Sequence, residues 1–160
     1  MYYRNAVVVR AGGPRTTCSL KLTRWRRPKV GVSLDLTGMW TYRSFHNDPD
    51  PAIDSRWFIA ELTLELAKNG SLKGILKAED PKYQYCIEGW LKDDKIELRA
   101  VGATPDTQGH EYGYLGYYQC PWPNGKSQVP CFSGSVIRAK RPDDPTKEGK
   151  VGSFTAVKKT

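Results

Sequence analysis

Two histidines supply the side chains of this chain whose ordinary pKa lies near neutral pH, and both stand where proton transfer could be organised. His46 ends an alternating run and is followed by Asp48 and Asp50, carboxylates able to orient an imidazole. His110 sits beside Glu111 at the head of a run containing Tyr112, Tyr114 and Tyr118. His46 with Tyr42 or Tyr112 would make an acid–base set for a cofactor-independent isomerase, cyclase or hydratase. Two imidazoles with nearby carboxylates are also a metal-ligand set, but their spacing matches no metal motif, so no metal is expected. Nothing specific marks His46 or His110 as a haem ligand, and no cofactor is expected. Nucleophilic catalysis is poorly supported: there is no Gly-x-Ser-x-Gly elbow, and Phe132-Ser133-Gly134-Ser135-Val136 reads as a strand with a packing glycine.

A second set concerns binding. Trp40, Tyr42, Ser44 and His46 fall on one face of an alternating run, and Tyr85, Tyr112, Tyr114 and Tyr118 come from later runs. Together they would make an aromatic cage with a few hydroxyls, suited to a small, largely apolar or aromatic molecule held by hydrogen bonds. The same aromatics could instead fill the interior and leave no cavity, with Trp40 serving as floor packing. In that case the protein would be an oligomeric structural or interaction barrel without a ligand, and outward-facing Trp57, Ile59 and Trp90 would form an interface patch between copies.

Positioning these side chains falls to strands. After residue 33 the apolar residues recur mostly with period two. The pattern predicts strands over Leu34–His46, Trp57–Ala67, Ser71–Glu79, Tyr83–Leu91, Lys95–Val101, Glu111–Cys120, Cys131–Ala139 and Lys150–Lys158. Asn47-Asp48-Pro49-Asp50-Pro51 interrupts the first connection, and Asn69-Gly70 is a strong hairpin signal. Gly113 and Gly116 would bend a curved strand. Arg138 to Gly149, charged and with two prolines, reads as an exposed loop. The expected fold is all-β: an antiparallel meander β-barrel of about eight strands.

Charge divides the 160 residues in two. No acidic residue precedes Asp35, while Arg4, Arg10, Arg15, Lys21, Arg24, Arg26, Arg27 and Lys29 supply eight of the 25 basic residues. From residue 35 onward, 17 basic residues face 17 acidic ones. The expected organisation is a basic, loosely ordered extension over 1–33 and a neutral barrel domain over 34–160. A neutral barrel lacks the basic face of a nucleic-acid binder, so nucleic acid is not an expected partner, although a basic arm can bind phosphate. The Arg-rich segment has some of the character of a transit peptide, but prolines and few serines weaken that signal. There is no signal peptide or membrane-length apolar run, so the default expectation is cytoplasmic. Cys18, Cys86, Cys120 and Cys131 match no zinc spacing. Cys120 and Cys131 flank a turn-like segment and would form a disulfide in an oxidising compartment, or remain thiols in a reducing one.

Four stretches in order carry a resemblance. Leu36-Thr37-Gly38-Met39-Trp40-Thr41 resembles the first strand of avidin and streptavidin, and Asn69-Gly70-Ser71-Leu72-Lys73-Gly74 is similar to that family's second turn and third strand. Phe132-Ser133-Gly134 and Val151-Gly152-Ser153-Phe154-Thr155 are similar to its later strands. The resemblance implies an avidin-like, more broadly calycin-type, barrel; a homo-oligomer is the expected assembly on the separate ground of the outward-facing aromatic patch. Its biotin-binding groups are not retained. The positions of the family's Asn and Ser on strand one are Tyr42 and His46, and that of its Tyr on strand three is Leu76. Each buried polar group of biotin left without a partner would cost about 1–3 kcal/mol, so tight biotin binding is not expected.

Overall fold

The computed structural model describes residues 34–50, 52–119, 122 and 124–159. The expected extension over 1–33 and the Cys120 half of the expected disulfide lie outside the described residues. Eight strands run in chain order: β1 (Gly38–His46), β2 (Arg56–Leu66), β3 (Ser71–Ala78), β4 (Gln84–Lys92), β5 (Lys95–Gly102), β6 (Glu111–Tyr118), β7 (Cys131–Lys140) and β8 (Val151–Lys158). Each pairs antiparallel with the next, and β8 returns to β1, closing the barrel. Closure leaves no unpaired edge, so the ladder satisfies its own backbone groups. Among the described residues the helical pieces are single 3₁₀ turns, Pro105–Thr107 and Pro145–Lys147, and none is long and apolar enough to cross a membrane.

Local chemistry explains the strand ends. Gly38 has φ of +128°, which bends the chain as it enters β1 and starts the strand later than alternation alone suggests. At the hairpin between β2 and β3, Gly70 takes φ of +86° while Asn69 Oδ1 accepts from the Ser71 N–H at 3.1 Å. A Cβ at Gly70 would meet the Leu91 carbonyl oxygen at 2.7 Å, so this turn also needs glycine for space.

The barrel is filled at one end. Trp40 is completely buried, and its indole N–H donates to the Leu36 carbonyl at 3.0 Å, so burial strands no donor. Phe132 meets Trp40 edge-on with ring centroids 5.0 Å apart, and Leu64, Leu72 and Ile96 complete the buried floor. The Lys158 ammonium lies 5.5 Å from the Trp40 ring centre. One tier higher, Gly116 faces inward, where a Cβ would meet the Phe154 ring at 2.9 Å. Gly116 therefore makes room for a core aromatic.

At the opposite end, two irregularities override alternation. Ser44 pairs with Phe58 but Phe45 pairs with Arg56, which leaves Trp57 as the extra residue of a bulge in β2. Between β6 and β7, Glu111 pairs with Lys140 and Tyr112 with Arg138, so Ala139 is the extra residue there. The first bulge turns Trp57, expected outward, to the barrel mouth. The second sends Lys140 to the exterior, 3.3 Å from Glu111, while Arg138 stays inside. The expected exposed loop over Arg138 to Gly149 is thereby corrected at its start, because β7 continues to Lys140. Ile59 and Trp90 are outward and exposed as expected.

Candidate functional site

The strands place a cavity of about 310 Å³ at the mouth, above the filled half of the barrel. Tyr42 and Ser44 of β1, Tyr85 of β4, and Tyr112 and Tyr114 of β6 line it. Their rings support one another: Tyr42 meets Tyr114 edge-on at 6.0 Å, and Tyr85 meets Tyr112 at 5.5 Å with the planes at 90°. Phe58 packs edge-on against Tyr85 at 6.2 Å. The question of cage or filled interior has a divided answer: the lower barrel is packed, and the upper barrel holds a cavity.

Three residues expected in the cage are placed elsewhere. Trp40 is sealed in the floor, and Tyr118, at the closed end of β6 opposite Phe132, packs against the core. His46 is exposed at the rim and stacks on Trp57, with ring centroids 5.0 Å apart and planes 12° apart. The parity of β1 carries Tyr42 and Ser44 into the lumen, while His46, the last residue of the strand, stands exposed at the rim. His110 does not join His46. It is 2% exposed and donates from Nε2 to Asp143 Oδ1 at 2.8 Å, while its buried Nδ1 has no partner among the described residues. Among the described residues no group of three or more His, Cys, Asp or Glu side chains is arranged to hold a metal ion. Cys131 has no disulfide partner among the described residues, and its Sγ lies 2.9 Å from Gln119 Oε1.

The cavity also contains two cations that the reading of motifs did not place there. Arg138 is 6% exposed, and its guanidinium carbon lies 4.7 Å from the Trp57 ring centre and 6.0 Å from that of Tyr112. Arg141 lines the same rim, with Nη1 3.5 Å from the Tyr112 hydroxyl. Their electrostatic situations differ. Arg141 is bidentate to Asp143, through Nε at 2.7 Å and Nη2 at 2.8 Å, and this pairing holds the Asp143 carboxyl well below its usual range. Arg138 makes no side-chain hydrogen bond or ion pair among the described residues, and its Nε is buried without a partner. A signal for Arg138 was present in the sequence, since it continues the inward phase of Phe132, Gly134 and Val136. Trp57 had no such signal, because its orientation depends on a bulge.

The remaining titratable groups facing the cavity are tyrosines. Burial pushes Tyr42 up to about 12, with the Ser44 and Tyr114 hydroxyls acting in the opposite direction. Burial also raises Tyr114 and Tyr85 well above the ordinary phenol value. At neutral pH these are protonated hydroxyls, able to donate hydrogen bonds and poorly suited to abstracting protons. Among the described lining residues there is no carboxylate, histidine or cysteine.

Fold and site together define a small antiparallel β-barrel with a closed floor and an aromatic cup at its mouth. No family model matches the chain, and no curated protein matches it.

Proposed function

We propose that the protein binds a small, largely aromatic or apolar molecule in the cup at the barrel mouth. The observation that carries this reading is the coexistence of a packed floor with a tyrosine-lined cavity of about 310 Å³. Such a volume is at the lower end of the range for small-molecule sites, about 300–1,000 Å³, which favours a compact ring compound over a long-chain lipid. Protonated tyrosine hydroxyls and Ser44 would orient its polar edge. Against the proton-transfer alternative stand the exposure of His46 at the rim, stacked on Trp57, and the raised pKa of Tyr42 and Tyr114.

We further read the barrel as calycin-type and avidin-like. The nearest-neighbour meander and the indole of Trp40 in the floor support this reading. The altered polar positions give it a different ligand: Tyr42 and Leu76 present bulk to the cup where the biotin-binding pattern has hydrogen-bonding groups. Residues 34–160 are read as the barrel domain, because β8 pairs with β1 and completes the ladder.

A neutral, environment-sensitive aromatic dye tests the binding reading. The wild-type protein is expected to bind it saturably with one site per chain. Ser44→Phe, which fills the cup, is expected to weaken binding at least about tenfold with little change in thermal midpoint. Absence of saturable binding, or binding unaffected by Ser44→Phe, overturns the reading. Native mass spectrometry of the same sample reports any copurified molecule and the oligomeric state.

A further inference from the structure

We propose that the cup is selective for an anion, and that the Arg138 guanidinium receives the carboxylate of a small aromatic monoacid. This inference rests on the binding reading above and adds the charge of the ligand to it. Among the described residues Arg138 is the one buried side chain with a permanent charge. Its neighbours are the faces of Trp57 and Tyr112, which offset part of the desolvation but accept no conventional hydrogen bond. A buried cation with an unpartnered N–H is costly to a fold, and an uncharged side chain of similar size would pack against the same rings without that cost. A ligand oxyanion entering the cavity would supply the missing acceptor.

The balance of charge identifies the kind of anion. Arg141 is already neutralised by Asp143, and the described lining residues include no carboxylate to neutralise Arg138. One uncompensated cation calls for one negative charge. A ring carboxylate supplies that, whereas a phosphate ester would bring a second charge without a partner. Tyr112 lies between the two guanidiniums, 3.5 Å from Arg141 Nη1 and beneath Arg138, so its ring and hydroxyl can bridge the carboxylate to the tyrosine tier. The ligand's ring would then occupy the space among Tyr42, Phe58 and Tyr85, with its acid group toward the mouth.

Three probes of one shape separate the alternatives: naphthoate, naphthamide and naphthyl phosphate, titrated calorimetrically against the full chain. Wild-type protein is expected to bind naphthoate about ten- to a hundredfold more tightly than naphthamide, the range of a charge-assisted hydrogen bond. Naphthyl phosphate is expected to bind more weakly than naphthoate. Arg138→Met should abolish the preference for naphthoate while retaining naphthamide binding, and Arg138→Lys should restore part of it. Retained naphthamide binding also shows that the Arg138→Met variant is folded. Equal wild-type affinity for naphthoate and naphthamide overturns the anion subsite and leaves the binding reading standing. A preference for naphthyl phosphate overturns the assignment of a monoanion. If neither naphthoate nor naphthamide binds, the cup is not a ligand site and both readings fall together.

Discussion

Gly152 faces the indole of Trp57 so closely that a Cβ on Gly152 would lie 2.6 Å from Cε3 of the ring and 2.4 Å from the Phe45 carbonyl oxygen. The missing side chain in β8 thus makes space for the bulged tryptophan of β2. That tryptophan in turn lies under Arg138 of β7 and against His46 of β1. Four strands meet at this corner of the mouth.

Gly152→Ala is expected to displace Trp57 and destabilise the protein by about 1–3 kcal/mol, the usual cost of overpacking. Urea denaturation measures the loss, and a red shift in tryptophan emission would report the displaced ring. An unchanged midpoint and spectrum would show that the corner is looser than its geometry indicates.

Trp40→Ala is expected to cost about 3–5 kcal/mol, since it removes a completely buried indole and leaves a void above Leu36 and Phe132. Because the cup lies in the other half of the barrel, any variant that still folds should retain dye affinity within a few-fold. Loss of affinity in a folded Trp40→Ala protein would mean that floor and cup are mechanically coupled.

Alkaline pH should unfold the barrel. Burial raises the Tyr42 pKa from 10.0 to about 12, so the folded state favours the neutral phenol. That contribution is fully present below pH 10 and is lost as pH rises through about 12. For Tyr42 alone it is on the order of 3 kcal/mol. Tyr85 and Tyr114 act in the same direction. Spectrophotometric titration is expected to show a late group of phenols ionising together with loss of far-ultraviolet circular dichroism. Uniform ionisation near pH 10 in the folded protein would contradict the buried tier.

His46→Ala should change ligand affinity by no more than about twofold, corresponding to roughly 0.5 kcal/mol, because the imidazole stacks on Trp57 from the rim. Calorimetry with the dye or naphthoate checks this. A larger loss would return His46 to the binding site.

Much of the architecture was legible in the chain itself. Period-two alternation marked all eight strands, Asn69-Gly70 marked a hairpin, and the Gly38–Trp40 spacing marked the floor. These follow from local rules: an extended chain turns alternate side chains to opposite faces, and glycine allows a backbone conformation that other residues resist. The same parity brought Tyr42, Ser44, Tyr85, Tyr112 and Tyr114 to one lumen. Only the tertiary structure decided how deep each residue lies along the barrel axis, so Trp40 and Tyr118 belong to the packed end and His46 to the rim. It also decided where alternation breaks. A bulge depends on register with a neighbouring strand, which no single run of residues encodes, and the one at Trp57 reversed the expected direction of that side chain. The cavity is likewise a property of the closed ladder, being the volume that side chains from six of its strands and the adjoining loops leave unfilled. Arg138 shows both levels at once: its inward phase is written in β7, while its lack of a partner emerges only when the barrel closes around it.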